Sequence, residues 1–141
     1  VLRGESINGV EREEGYIKKT LGDIYGVSKR DVFLSSTGMS ALYSIFNVVN
    51  GFEELVGKES WCQLGWLYLD TGEILSKYSQ KPVFISDVNK LEELEKHLIL
   101  GSIKAVITEV PTNPLILVPH LEKLSSLCKK YRVPFVLDTS L

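Results

Sequence analysis

Long apolar runs are missing from this chain. No stretch reaches the length of a membrane span, and the amino end, Val1-Leu-Arg-Gly-Glu-Ser, has none of the apolar core that a signal peptide needs. An excess of one charge is missing too. Sixteen Lys and Arg are spread among eighteen Asp and Glu, for a formal net charge of -2. That leaves no basic stripe for nucleic acid and no basic amphipathic face for a membrane. Cysteine is limited to Cys62 and Cys128, which are far apart, lack metal-ligand spacing and sit among apolar neighbours. They read as buried structural thiols in a reducing, cytoplasmic compartment, and no metal site is expected. The two histidines, His97 and His120, fall on helix-like stretches without an acid and nucleophile beside them, so neither is a catalytic candidate. Internal repeats and low-complexity tracts are absent.

What is present is enough apolar material for a core: 141 residues with 44% hydrophobic side chains make one ordinary soluble domain. The pattern alternates along the chain. Val10, Ile17, Leu21 and Ile24 recur at helical spacing until Gly26, which reads as a surface helix. Asp31 to Ser35 reads as a short buried strand, followed by a helix whose face is Met39, Leu42, Tyr43, Phe46 and Val49. Trp61 to Leu64 predicts a strand, Tyr68 to Tyr78 a helix, and Pro82 to Ile85 another strand. Asp87 is placed to cap a helix over 90–100, whose Lys and Glu side chains form an exposed face. The last unit is a strand over 104–109, a Pro-rich loop, a helix from His120 to Tyr131, and a strand over 134–138. Strands alternating with helices predict a three-layer, mostly parallel α/β fold with right-handed crossovers.

The run Glu109-Val-Pro-Thr-Asn-Pro114 is the most informative feature. An apolar strand delivers a carboxylate and an amide into a Pro-punctuated loop, and the next strand ends in Asp138. Open α/β sheets bind ligands at that carboxyl edge. Upstream, Ser36-Thr37-Gly38-Met39 opens a helix and offers backbone N–H groups to an anion. The pattern resembles half of a cofactor pocket. Taken singly, Asn113 reads as a turn residue, Tyr68 as core, Ser36 or Thr37 as a helix cap, and Glu109 as an acceptor for backbone donors with no chemical role.

Ser36-Thr37-Gly38-Met39-Ser40-Ala41, Tyr68-Leu69-Asp70-Thr71, Glu109 to Pro114 and Asp138-Thr-Ser140 occur in the order and approximate spacing of the Cys/Met-metabolism pyridoxal phosphate (PLP) enzymes. From about Asp31 to Leu141 the chain resembles that family, and within it the fungal cystathionine gamma-synthase branch. The resemblance implies part of the PLP-binding large domain of an aspartate-aminotransferase-like (fold type I) enzyme. Residues 1–30 would be a leading helix region and 31–141 the alternating part, with the rest of the large domain and a small carboxyl-terminal domain lying outside this chain.

By the same resemblance, Gly38 and Met39 would donate backbone N–H groups to the cofactor phosphate, and Tyr68 would stack on the pyridine ring as part of the catalytic apparatus. Asn113 would bond the ring hydroxyl, and Asp138 would keep the pyridine nitrogen protonated, the main catalytic role assigned within this chain. Ser140 is grouped with the cofactor-binding positions. The family's cofactor-bearing lysine and carboxylate-gripping arginine would lie beyond Leu141, so the chain alone is expected to be inactive. Thr139-Ser140 departs from the Asn-Thr or Glu-Thr usual after the Asp. The implied activity is transsulfuration by gamma-replacement, joining cysteine to an activated homoserine. Small amino acids would be the substrates and the assembly a homodimer or homotetramer. A related lyase, a silent PLP-binding paralogue, and an unrelated anion-binding α/β module remain open alternatives. Beyond strand 134–138 an exposed sheet edge is expected, with aggregation or partial disorder of the isolated piece as its consequence.

Overall fold

The computed structural model describes residues 5–140. The chain divides into two compact units, Val1–Thr37 and Gly38–Leu141.

The first unit contains helix α1, Glu5–Tyr25, and a short 3-10 turn, Lys29–Asp31. The helix matches the predicted periodicity and stops at Gly26, which takes φ +66°. The Val27 N–H then donates to the Gly22 carbonyl at 2.9 Å, and the Ser28 hydroxyl accepts from the Arg30 N–H at 3.2 Å, which starts the turn. Ile17 and Ile24 are exposed; the side chain of Val10 lies outside the described residues. The expected strand from Asp31 to Ser35 does not form. Asp31 closes the 3-10 turn, residues 32–35 have no regular structure, and Phe33 is 85% exposed. No strand among the described residues pairs with Val32-Phe-Leu34, so although Val32 is extended the triplet has no ladder to make it a strand.

In the second unit, helix α2 spans Gly38–Asn50 and a 3-10 turn Glu53–Leu55 follows. Then come β1 (Ser60–Leu64), α3 (Leu69–Tyr78), β2 (Val83–Ile85) and α4 (Leu91–Ile99). Finally β3 (Ile103–Glu109), α5 (Leu121–Lys130) and β4 (Phe135–Asp138) complete it. The four strands form one sheet in the order β2-β1-β3-β4, and every pair is parallel. All carboxyl ends therefore meet along one edge. The strands read as near-continuous apolar runs because both faces are covered.

Alternation sorts the strand side chains into two cores. Cys62, Leu64, Ile85 and Val106 pack with Leu94 and Leu98 of α4 and with Leu124 and Cys128 of α5. Trp61, Ala105 and Ile107 face the other way, onto Leu42, Phe46 and Val49 of α2 and Leu75 of α3. A register shift between Ser60 and Trp61, where Lys104 is the extra residue, lets Ile103 and Val106 share a face. The result is the three-layer architecture expected, with β4 a half-buried edge strand.

α2 runs against the strands. Its last residue, Asn50, accepts a hydrogen bond from the Trp61 indole N–H at 3.0 Å, and Phe46 stacks on Trp61 at 4.9 Å between ring centroids. Both contacts lie at the amino end of β1. The helix is about 20 Å long, comparable to the strands, so its first turn points toward the carboxyl edge of the sheet.

Two local expectations are corrected. Asp87 does not cap α4: its carboxylate accepts from the Asn89 N–H at 2.9 Å, an Asx turn ahead of the helix, and Lys90 occupies the cap position without a side-chain bond. Nor is the 90–96 face wholly solvated. Glu95 accepts from the Lys130 ammonium at 2.7 Å and the Tyr131 hydroxyl at 2.8 Å, tying α4 to α5.

The cysteines are free and buried as expected. Burial, with Cys128 and Glu93 adding to it, pushes the Cys62 thiol up to about 12, and burial pushes Cys128 up to about 11. Neither is a thiolate near neutral pH. Iodoacetamide at pH 8 is expected to leave both unmodified in the folded protein and to alkylate both once urea unfolds it, read by intact mass. Rapid labelling of the native protein would contradict the packing described.

Candidate cofactor site at the carboxyl edge of the sheet

Glu109 and Asp138 end neighbouring parallel strands and stand opposite each other in register. Adjacent strands are about 4.8 Å apart, and residues paired in this way project to the same face. Alternation puts both side chains on the α2 and α3 face, since Ile107 and Val136 precede them by two and belong to that core. The pairing extends past the strand ends, where the Val110 N–H donates to the Asp138 carbonyl at 2.8 Å.

Asp138 is half-buried, and its Oδ1 accepts from the Ser140 N–H at 2.9 Å. The backbone at Ser140 thus orients the carboxylate, while the Ser140 side chain is exposed. Glu109 is buried, and its Oε2 accepts from the Tyr68 N–H at 2.6 Å. Tyr68 is the residue before α3, so Glu109 caps that helix from a distant strand. Burial pushes the Glu109 carboxyl above its usual range; the Tyr68 hydrogen bond works against this, and the charge of Asp138 adds to it. Among the described residues neither carboxylate has a Lys, Arg or His within ion-pair distance. Two acidic groups therefore face one spot, and no described cation pairs with either.

The loops around these groups are built from buried contacts. Gly65 ends β1 with φ +78°, and its N–H donates to the Ile85 carbonyl at 2.7 Å. Thr112 is almost completely buried; its N–H donates to the Leu117 carbonyl at 2.9 Å and its hydroxyl accepts from the Leu117 N–H at 3.1 Å. This closes the loop that carries Asn113 between the cis Val110-Pro111 and Asn113-Pro114 bonds. Thr108 adds a buried link, donating from Oγ1 to the Leu64 carbonyl at 2.8 Å.

Of the residues expected from sequence, Tyr68, Asp138 and Ser140 come together around Glu109. Asn113 follows the same strand end on an exposed loop, and its side chain makes no described contact with that group. Gly38 and Met39 form the first turn of α2, on the same face and directed to the same edge. A Cβ at Gly38 would meet nothing within 4 Å, so no neighbouring atom crowds that side of the turn. The turn lacks the predicted preceding strand. Tyr68 is not core: it is half-exposed, with its backbone held at the sheet edge by Glu109. Glu109 accepts a backbone donor, as read, and the donor is the Tyr68 N–H; two residues, Gly65 and Thr112, were missed as loop anchors. The position of Gly65 directly after an apolar strand was the available signal for one of them.

An open hollow of about 530 Å³ lies along α5, lined by His120, Glu122, Lys123 and Lys130. It contains none of the edge carboxylates. No group of three His, Cys, Asp or Glu able to hold a metal occurs among the described residues, and no described helix is long and apolar enough to cross a membrane.

Comparison with known proteins converges on one family. Residues 14–141 match the Cys/Met metabolism PLP-dependent enzymes. An L-2-amino-4-chloropent-4-enoate dechlorinase/desaturase from Streptantibioticus cattleyicolor is 27% identical over 89% of this chain and 26% of its own length. The cystathionine gamma-synthase-like enzyme iboG1 from Amanita muscaria is 33% identical over 84% of this chain and 21% of its own. This chain therefore spans about a quarter of the first relative and about a fifth of the second. Among solved structures, an O-acetylhomoserine (thiol)-lyase homologue from Campylobacter jejuni containing a pyridoxyl-lysine phosphate superposes with a TM-score of 0.60, at 20% identity, over 75% of this chain and 26% of that one. That likeness establishes the α/β fold. The chain belongs to the family of Cys/Met metabolism PLP-dependent enzymes.

Proposed function

We propose that this chain is the central part of the large domain of a PLP enzyme that works at the γ carbon of a small amino acid. Its specific reaction is then that of a cystathionine gamma-synthase, joining cysteine to an activated homoserine. The observation that carries this reading is the meeting of Asp138, Glu109 and Tyr68 at one sheet edge, on the face toward which α2 directs its first turn. The names of the two relatives support the choice of carbon, since carbon 4 of a 2-amino acid, which bears the chlorine in one substrate, is its γ carbon.

The residues present fit the cofactor. Two carboxyl groups with no described cation beside them suit a protonated ring nitrogen, and a helix first turn that starts with a glycine suits a phosphate. When bound, PLP supplies an electron sink for charge released at the substrate α carbon. Asp138 holds the proton at the ring nitrogen, and the Ser140 N–H keeps that carboxylate aimed. Gly38 and Met39 bind the phosphate through backbone N–H groups. Tyr68 lays its ring against one cofactor face and keeps water from it. Asn113 donates its amide to the ring hydroxyl. The lysine that carries PLP lies past Leu141, the assembly is a homodimer or homotetramer, and the compartment is the cytoplasm.

The test uses the full-length protein. Borohydride reduction in the presence of PLP, followed by peptide mass spectrometry, is expected to show one modified lysine, carboxyl-terminal to the region matching Leu141. Cysteine and an O-acylated homoserine should then give cystathionine. Absence of any specific adduct would overturn the PLP reading. An adduct with cystathionine consumed rather than formed would replace the synthase with a lyase.

A further inference from the structure

Tyr68 occupies the cap position of α3 with φ −51° and ψ 140°, and its own side chain makes no capping bond. The cap is supplied across 41 residues of sequence by Glu109, at 2.6 Å. The same strand end holds Asp138, through the Glu109–Asp138 register pair and the Val110 to Asp138 backbone bond. β3 thus carries both the backbone that bears the Tyr68 ring and the strand that bears the Asp138 carboxylate. The Tyr68 side chain is 50% exposed, so packing within this unit does not lock the ring. Its height above the sheet edge is set by the backbone. On the amino side that backbone is anchored by buried Leu67, and at Tyr68 itself by Glu109.

We propose that Glu109 is a positioning residue that acts through Tyr68, fixing the ring at the height where it meets the face of a pyridine whose nitrogen Asp138 holds. This rests on the PLP reading above. Without Glu109 the Tyr68 N–H has no acceptor inside its own helix, and the first turn of α3 is released from β3. Displacements of about 1 Å are enough to spoil a working geometry. Glu109 is poorly explained as a stabilising cap alone. A buried carboxylate beside a second carboxylate, with no described cation, is a costly way to satisfy this N–H when a Glu or Gln at position 71, the third residue of α3, would reach back to it locally.

A double-mutant cycle on the full-length protein separates positioning from simple capping. The apoprotein is titrated with PLP, and the dissociation constant is read from protein fluorescence. The variants are Glu109→Ala, Glu109→Gln, Tyr68→Ala and the double Glu109→Ala/Tyr68→Ala. Tyr68→Ala keeps the backbone N–H and hence the cap, but has no ring to place. Glu109→Ala is expected to weaken PLP binding about tenfold when Tyr68 is present and less than about twofold when it is Ala, a coupling of the size seen between residues that act together. Glu109→Gln, whose amide oxygen can still accept from the Tyr68 N–H, should recover most of the loss.

Equal weakening in both backgrounds would overturn the proposal and leave Glu109 a structural cap, as would a folded Glu109→Ala protein with unchanged affinity. Should Glu109→Ala fail to fold, Glu109→Gln decides in its place: a loss as large as that of Tyr68→Ala would reject the positioning role, and near-wild-type affinity would support it. Failure of the unmutated protein to bind PLP, or no loss in Tyr68→Ala, would strike the underlying site reading itself.

Discussion

Asp138→Asn in the full-length protein is expected to lower turnover by about 10²–10³-fold while leaving the protein folded, the range seen when one preorganised electrostatic group is removed from a site. The substitution keeps the side-chain oxygen that accepts from the Ser140 N–H, so the local turn persists and only the charge is lost. An amide cannot hold a proton at the ring nitrogen as a carboxylate does. The neighbouring Glu109 does not replace it, because its oxygen is committed to the Tyr68 N–H and burial biases it toward the neutral form. Steady-state kinetics with cysteine and an O-acylated homoserine, alongside circular dichroism, measure the effect. A folded Asp138→Asn protein retaining activity within a few-fold of the parent would show that the carboxylate serves only the turn at Ser140.

Much of this edge is legible in the amino-acid sequence. Trp61 to Leu64, 104–109 and 134–138 are apolar-rich runs of strand length bounded by turn residues; the first two are buried on both faces, as inner strands of a parallel sheet are, and the third is the half-buried edge. Met39, Leu42, Phe46 and Val49 recur at helical spacing and do face the core. Strand order, by contrast, depends on which strands pair. The failures have the same origin. Val32-Phe-Leu34 has the composition of a buried strand, yet a run so short takes its structure from a partner strand, and none among the described residues pairs with it. Asp87 resembles a cap because it precedes a periodic stretch, but it spends its carboxylate two residues on, at Asn89, before the helix begins.

Glu109 illustrates a different limit. Its neighbours in sequence show a strand leading into a Pro-rich loop, and nothing local connects it to Tyr68. The hydrogen bond exists because β1 and β3 are adjacent in the sheet and the loop after β1 turns back across the end of β3. The motif that identifies the family therefore carries the right residue with no role attached. The resemblance points to Asp138 and Tyr68, and the sheet register supplies the group between them.

Gly65→Ala is the substitution expected to cost the most stability for the least chemical change, about 3 kcal/mol, from strain in the left-handed region combined with overpacking. Gly65 takes φ +78°, and a Cβ built there would collide with Val88 Cγ1 and sit 2.9 Å from Thr112 Cγ2. Val88 and Thr112 are both almost completely buried, so neither can swing aside. The three residues belong to the loops after β1, β2 and β3, which makes Gly65 the point where those loops meet. A methyl group there pushes against the Thr112 side that anchors the Asn113 loop and against the segment leading to Tyr68. Urea unfolding of the full-length protein is expected to show a lower midpoint with the slope unchanged. PLP affinity should fall with it, because the same contacts place residues on the site edge. Thr112→Ser, which removes only the obstructing methyl, should restore part of both losses in the Gly65→Ala background, whereas purely additive effects would show that the loops are not coupled through this contact.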